Sequence, residues 1–358
     1  MPVSIVIGGQ FGSEGKGKVA LEIVRREQKR VRSASVAVIR VGGPNSGHTA
    51  YELSGKKWAL RQMPASCIDR DVDVYFPAGS YLDADVLLQE MEALDYPHDR
   101  IFISPYAQII LPEHKKWEQE SNLASSIGST GSGVGAAVLA SIAREASNLK
   151  LPSRDAAHCE QLHKFTHRGE TTGLLRERLD KGHRVVIEGT QGFGLSLLDG
   201  GYWPKATSRA TTAAGALSES GLSPRDVDDI TMVIRSFPIR VAGDSGHLVD
   251  ETTWEEIARN ADVDSDIQEY TTVTRKLRRV GKFDPVLVRR ALAANAPTRL
   301  VLNHMDYIGS EDSLLDEGSR VRKFLERVER DIGRTIDWVG FSGLDVAEPQ
   351  RVGHEQEV

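Results

Sequence analysis

The sequence predicts an α/β fold: a mostly parallel central sheet with helices on both faces and inserted subdomains. Two observations predict it. Short β-rich runs are apolar nearly throughout, as strands covered on both faces are. Helical stretches alternate with them, as crossovers between parallel strands require. A third observation bears on organisation. The 358 residues hold no internal repeat, no low-complexity tract and no convincing linker. Residues 1–358 therefore read as a single domain with insertions.

The elements follow in order. The strands are expected at Ser4–Gly9, Ser35–Gly42, Val72–Ala78, Val185–Gly189, Asp229–Arg235 and Leu300–Asp306. Helices are expected at Lys16–Arg30 after the first strand, at Ala84–Leu94 after the third, and at Pro285–Ala294 before the last. From Ser310 to Val358 the signal weakens: one amphipathic helix near Arg320–Ile332, then a charged tail with Gly and Pro.

Composition narrows the function. The net charge is −6 with acids and bases interspersed, which argues against a nucleic-acid partner. No apolar run approaches the roughly 18 residues of a membrane span. No secretory signal pattern is present, and only Cys67 and Cys159 carry thiols, so a reduced, cytoplasmic setting is expected.

The run Ser4-Ile5-Val6-Ile7-Gly8-Gly9-Gln10-Phe11-Gly12-Ser13-Glu14-Gly15-Lys16-Gly17-Lys18 carries the most information. A buried strand ends, glycines crowd, and a helix begins. Such a turn lets backbone amides close on an anion, with the helix N-terminus adding positive potential. Lys16 would bring a full charge to a phosphoryl oxygen. The stretch is not a strict P-loop, because the spacing is longer and Gly17 stands where a Mg²⁺-binding hydroxyl belongs. Ser13 either caps a backbone group or faces the metal or substrate.

Gly42-Gly43-Pro44-Asn45-Ser46-Gly47-His48-Thr49 follows the second strand. Alone it is a polar turn. Beside the first loop, on the rim that parallel strands share, it becomes a ligand site. His48 is placed to donate a proton to an oxygen gaining negative charge, and Asn45 to read a purine edge or a phosphate.

These two loops, in this order, resemble those of adenylosuccinate synthetases. The resemblance continues through Ile127-Gly128-Ser129-Thr130-Gly131-Ser132-Gly133-Val134-Gly135, similar to the family's loop for the substrate 5′-phosphate. It runs on through Glu188-Gly189-Thr190-Gln191-Gly192 and Tyr202 to Thr212, and through Val273-Thr274-Arg275-Lys276-Leu277-Arg278-Arg279-Val280-Gly281, similar to the aspartate loop. Asn303-His304-Met305-Asp306 falls where the family reads the base of GTP. The family makes adenylosuccinate from IMP, aspartate and GTP: the purine 6-oxygen is phosphorylated, then displaced by the aspartate amine. The resemblance implies that Lys16, with Gly12, Glu14, Gly15, Gly17 and Lys18 around it, holds the phosphoryl group in flight. His48 would stabilise charge on the 6-oxygen, and the Gly47 carbonyl and Ser13 would face Mg²⁺. Asn45, Thr49, Ser129, Thr130, Gln191, Thr207, Arg278, Asn303 and Asp306 match nucleotide- or phosphate-binding positions. Val273, Thr274, Arg275, Lys276 and Arg279 match aspartate-binding ones. Arg144 matches an arginine sent across a dimer interface, so a homodimer is implied.

Departures change the expected substrate. The family's catalytic aspartate, which takes the purine N1 proton, is Ser13 here, and an unreplaced base costs about 10²–10⁴ in rate. A small neutral residue opens space beside C2, where guanine carries an amine that a hydroxyl can accept from. This substitution resembles a phage-associated branch that acts on dGMP and makes N6-succino-2-amino-2′-deoxyadenylate for diaminopurine DNA. The chain is also shorter than most cellular members. Lys276 replaces an arginine of the aspartate loop, unless the alignment slips by one and places Arg275 there. His304 replaces a lysine of the base-reading motif, which favours ATP or dATP over GTP as donor, while Asp306 could still read guanine. The replacement base stays open among a water oriented by Ser13, a Mg²⁺-bound Ser13, and Glu14.

Overall fold

The computed structural model describes residues 2–30, 36–144, 149–166, 169–261, 267–271, 275–344 and 346–349. Its centre is an eight-stranded sheet. In chain order the strands are β1 (Val3–Gly8), β2 (Ala37–Arg40), β3 (Asp73–Phe76), β4 (Ile101–Ile103), β5 (Val185–Glu188), β6 (Val227–Arg235), β7 (Arg299–Asn303) and β8 (Trp338–Val339). They lie in the order β8–β7–β6–β1–β5–β2–β3–β4, and every pairing is parallel.

Alternation along the strands divides the core in two. Val6, Val38, Val74, Val186, Val233 and Val301 face one side, where the helices Lys16–Arg30 and Ala84–Leu94 cover them through Val19, Ile23, Val24, Leu87 and Met91. Ile5, Ile7, Ile39, Ile187, Met232, Ile234 and Leu302 face the other. There Thr171–Asp180, Ala213–Ser220, Pro285–Asn295 and Arg320–Ile332 cover them. Fully burying one such side chain is worth about 1.5–3 kcal/mol, so two-sided coverage is what holds β1 at the centre. Helix boundaries are set locally. Asp284 and Ser319 accept from the amides of the first turns of their helices, and Gly333 ends the last helix at φ 69°.

All six expected strands are present, as are the four expected helices. β4 and β8, of three and two residues, are edge strands too short for periodicity to mark. Antiparallel pieces occur outside the main sheet: a hairpin of His48–Tyr51 with Lys57–Leu60, and a three-stranded sheet of Ile239–Arg240, Arg279–Gly281 and Glu251–Thr252. Because the main strands run parallel, the loops leaving β1, β2, β5, β6 and β7 gather on one rim.

Candidate active site

The loop after β1 is organised by its own carboxylate. Glu14 is fully buried. Its Oε1 accepts from the amides of Gln10 (3.1 Å) and Gly12 (2.8 Å), and its Oε2 pairs with Lys16 Nζ at 2.7 Å. Lys16 is 2% exposed, so this ion pair sits in a low-dielectric setting at the start of a helix. Asn303 Nδ2, at the end of β7, donates to the Glu14 carbonyl at 2.8 Å. Gly15 lies at φ 90°, and a Cβ there would come within 2.6 Å of that Asn303 nitrogen. Only glycine allows the two strand ends to close so tightly. Lys18 donates to the Ser342 carbonyl at 2.7 Å.

The second loop brings His48 against the same helix. A Cβ on Gly17 would lie 3.0 Å from that of His48. His48 Nδ1 sits 2.5 Å from Glu188 Oε1, and Glu188 also accepts from the Ala65 amide, the Ser66 amide and the Ser66 hydroxyl. Burial, then the Arg40 charge, pushes the imidazole down to about 4, against the pull of Glu188. Burial works to raise Glu188, but its bond and charge interaction with His48, the Arg40 charge and the Ser66 amide bring it down to about 2. The pair is therefore a carboxylate and a neutral imidazole whose Nδ1–H donates to Glu188. Nε2 is buried without a partner, as are Asn45 Oδ1 and Ser46 Oγ nearby in sequence. Unmet buried polar atoms of this kind mark where a polar ligand completes the site. Arg40, which closes β2, fixes the loop by donating to the carbonyls of Ser46 (2.6 Å), Leu60 (3.1 Å) and Met63 (3.2 Å).

Two guanidinium groups grip residue 13. Ser13 sits at φ 57°; its carbonyl accepts from Arg235 Nη1 at 2.9 Å and its hydroxyl from Arg278 Nη1 at 2.8 Å. Arg235 is fully buried and paired with Glu269, which also accepts from the Tyr307 hydroxyl at 2.9 Å. Ser13 thus neither caps a backbone amide nor stands idle. Its hydroxyl is an acceptor for an arginine. The His304 ring faces the same residue and is pushed down to about 3, chiefly by burial. Burial raises Asp306 to about 6.

The remaining expected residues divide by location. Gln191 and Thr207 line one small pocket with Thr190 and Arg209. Ser129 Oγ accepts from the Gly131 amide, and the Thr130 and Ser132 hydroxyls bond to each other. The amides of Gly133 and Gly135, at the start of the next helix, are already held by Glu118, both at 2.8 Å. Arg279 lies apart from the glycine loop: it forms a two-pronged pair with Glu251 (2.7 and 2.8 Å) and donates to the Gly246 carbonyl at 2.8 Å. Arg275 and Lys276 are exposed, as is Thr49. Arg144 is exposed at the end of the helix Val134–Ala143. Val273 and Thr274 fall outside the described residues.

Sequence reasoning assigned no role to Glu188, Arg40, Arg235, Glu269 or Tyr307. For three of these a signal existed: β2, β5 and β6 are apolar runs that close on a charged residue, Arg40, Glu188 and Arg235. A charge at the end of a buried strand has to find a partner on the rim.

Among the described residues, no three His, Cys, Asp or Glu side chains gather as a metal site. A hard divalent cation suits this rim differently. Mg²⁺ keeps waters and phosphate oxygens and needs few protein ligands. Gly47, which the resemblance assigns to that role, stands in sequence between Ser46 and His48, whose Oγ and Nε2 are buried without partners. Ser13 fits it poorly, because its hydroxyl already faces a cation. No helix among the described residues is long and apolar enough to cross a membrane.

Comparison with known proteins identifies the family and the fold. The family model for adenylosuccinate synthetase matches residues 5–168 and 152–315. The adenylosuccinate synthetase of Methanococcus aeolicus is 35% identical over 344 residues, covering 93% of this chain and 94% of its own length. That coverage corrects one expectation: the length of this chain does not set it apart from ordinary members. The succinoaminodeoxyadenylate synthetase of cyanophage S-2L, solved with dGMP and with dATP as energy donor, superposes with a TM-score of 0.79. It is 26% identical, over 98% of this chain and 96% of that one. Fully ligated adenylosuccinate synthetase from Plasmodium falciparum shares the fold with a TM-score of 0.80 at 18% identity, over 98% and 100% of the two chains.

Proposed function

The chain belongs to the adenylosuccinate synthetase family of C–N ligases that act with aspartate, and from that premise we propose that it condenses L-aspartate with the 6-position of dGMP. ATP or dATP would drive the reaction through a 6-phosphoryl intermediate, giving N6-succino-2-amino-2′-deoxyadenylate. The observation that carries this reading is the neutral Ser13, held at the mouth of the phosphate loop with one lone pair on Arg278. The other is left for the guanine 2-amine. The structural likeness to a phage enzyme bound to dGMP and dATP supports the same reading.

The chemistry is positioning plus electrostatics. Lys16 and the loop amides receive the phosphoryl group. His48 Nε2 faces the 6-oxygen, and Glu188 stabilises the imidazolium as charge develops. Mg²⁺, held by Gly47 and phosphate oxygens, would neutralise charge on the donor. Arg279 exchanges Glu251 for a carboxylate of aspartate. Arg144, with Leu139 (38%) and Ile142 (70%) exposed on its helix, completes the 5′-phosphate site of a second copy in a homodimer. The family's reactants suit work in the cytoplasm.

A second reading rests on the archaeal relatives, all called adenylosuccinate synthetase at 32–35% identity. On it the substrates are IMP and GTP. Incubation with Mg²⁺, aspartate and ATP, dATP or GTP in turn, offering dGMP or IMP separately, distinguishes the two by product mass. A succinylated product from dGMP alone is expected, and product from IMP alone overturns the proposal. A Ser13→Asp variant should lose dGMP turnover; an unchanged rate would remove Ser13 from substrate choice.

A further inference from the structure

Among the described residues, the three glutamates of this site are engaged. Glu14 is buried inside its own loop on two amides and Lys16. Glu188 is held by two amides, a hydroxyl and His48. Glu269 is committed to Arg235 and Tyr307. The side chain bonded to the Ser13 hydroxyl is a cation. Arg278 spends its hydrogen bonds on neutral oxygens, Ser13 Oγ at 2.8 Å and the Tyr270 carbonyl at 3.3 Å. The Arg278 amide donates to the Glu269 carbonyl at 2.8 Å; burial and the neighbouring Arg235 charge disfavour the charged guanidinium, and the field of the Glu269 carboxylate supports it. An aspartate at position 13 would neutralise this guanidinium; serine leaves its charge in place.

Resting on the reading that the purine lies against residue 13, we propose that this site uses no protein base for the purine N1 proton. Instead Arg278 stabilises the deprotonated 6-oxopurine, and the proton leaves to solvent hydroxide. The steps balance. The N1–H bond breaks and water forms. The electron pair delocalises onto the 6-oxygen, which attacks the terminal phosphorus of the donor. The bridging P–O bond breaks and the nucleoside diphosphate leaves. The N1–H of a 6-oxopurine is a weak acid that ionises in the mildly alkaline range. A fixed positive charge nearby lowers such a value by about 1–3 units, enough to populate the anion near neutral pH.

Guanine ionisation has its own ultraviolet signature, so the test needs no turnover. The complex of wild-type protein with dGMP is titrated from pH 5.5 to 10 by difference absorbance, beside free dGMP. The bound N1 should ionise at least tenfold more readily than the free nucleotide, a shift of about one unit. Arg278→Gln should erase most of that shift, and Arg278→Lys should keep part of it. For the wild type, kcat should rise with pH and level off at the same bound value. A bound value equal to or above that of free dGMP overturns the proposal. So does a kcat already flat from pH 5.5 to 8.5, as an ionised carboxylate base would give. If IMP proves to be the reacting nucleotide, the same titration on IMP tests the role of Arg278. The choice of substrate can then fail while this inference stands, or the reverse.

Discussion

His48 keeps one ring nitrogen bonded and the other bare. Nδ1 donates a hydrogen bond to Glu188, and Nε2 is buried without a partner. A group in that state is prepared to gain charge when a negative phosphoryl group arrives, because Glu188 is already ionised beside it. His48→Ala should therefore lower kcat at least tenfold with little change in dGMP affinity, measured by equilibrium binding. Glu188→Gln should lower kcat by a similar factor with KM preserved, since the ring keeps a neighbour but loses the charge that favours imidazolium. Equal losses in binding and turnover would make the pair structural instead. The pair also fixes a sign for pH. The folded value of His48, about 4, lies below its ordinary 6.5, so the unfolded chain binds the extra proton first. Its contribution to stability is complete above pH 6.5 and fades as pH falls toward 4. Glu188, at about 2 against an ordinary 4.5, adds a second loss below pH 4.5. Thermal melts should show His48→Ala less sensitive to acid than wild type between pH 6.5 and 4.

At the scale of elements, the sequence marked what is periodic and buried on two sides. β1, β2, β3, β5, β6 and β7 read as apolar runs, and the glycines between β1 and its helix announced an anion loop. The edge strands β4 and β8 are too short to carry a period, and the antiparallel pieces depend on contacts far apart in the chain. The site was legible as loops, less so as partnerships. Lys16 and His48 were visible as chemistry, whereas the groups that hold them come from distant strands: Glu188 from β5, Asn303 from β7. Asn303 shows the difference best. Its motif placed it at the donor base, yet its amide nitrogen holds the Glu14 carbonyl and its carbon skeleton fills the space above Gly15. If it ties β7 to the glycine loop, Asn303→Ala should cost about 1–3 kcal/mol by leaving buried groups unpaired. Turnover should then fall alike with ATP, dATP and GTP. A variant with an unchanged melting temperature but an altered preference among donors would return Asn303 to base reading.

The whole molecule raises the question of whether one copy suffices. Arg144 stands exposed at the end of the helix Val134–Ala143, the helix that follows the Ser129–Thr130 loop. On the same helix Ile142 is 70% exposed and Leu139 38% exposed, although the rest of the helix packs through Val134, Ala136, Ala137, Val138 and Ala140. An arginine flanked by bare aliphatic side chains is suited to an isologous contact, in which each copy gives what it receives. If Arg144 serves the partner's phosphate site, two defects that are each fatal should complement. Lys16→Ala removes the phosphoryl contact within a copy, and Arg144→Ala removes what that copy lends. A mixed dimer then holds one site with both defects and one with neither. Equal amounts of the two inactive variants, allowed to exchange subunits, should recover about a quarter of wild-type activity, because half the dimers are mixed and half their sites are whole. Sedimentation should show dimers throughout. No recovery despite demonstrated exchange would place Arg144 within its own copy's site or outside the reaction. Monomers in sedimentation, with full activity per chain, would remove the partner altogether.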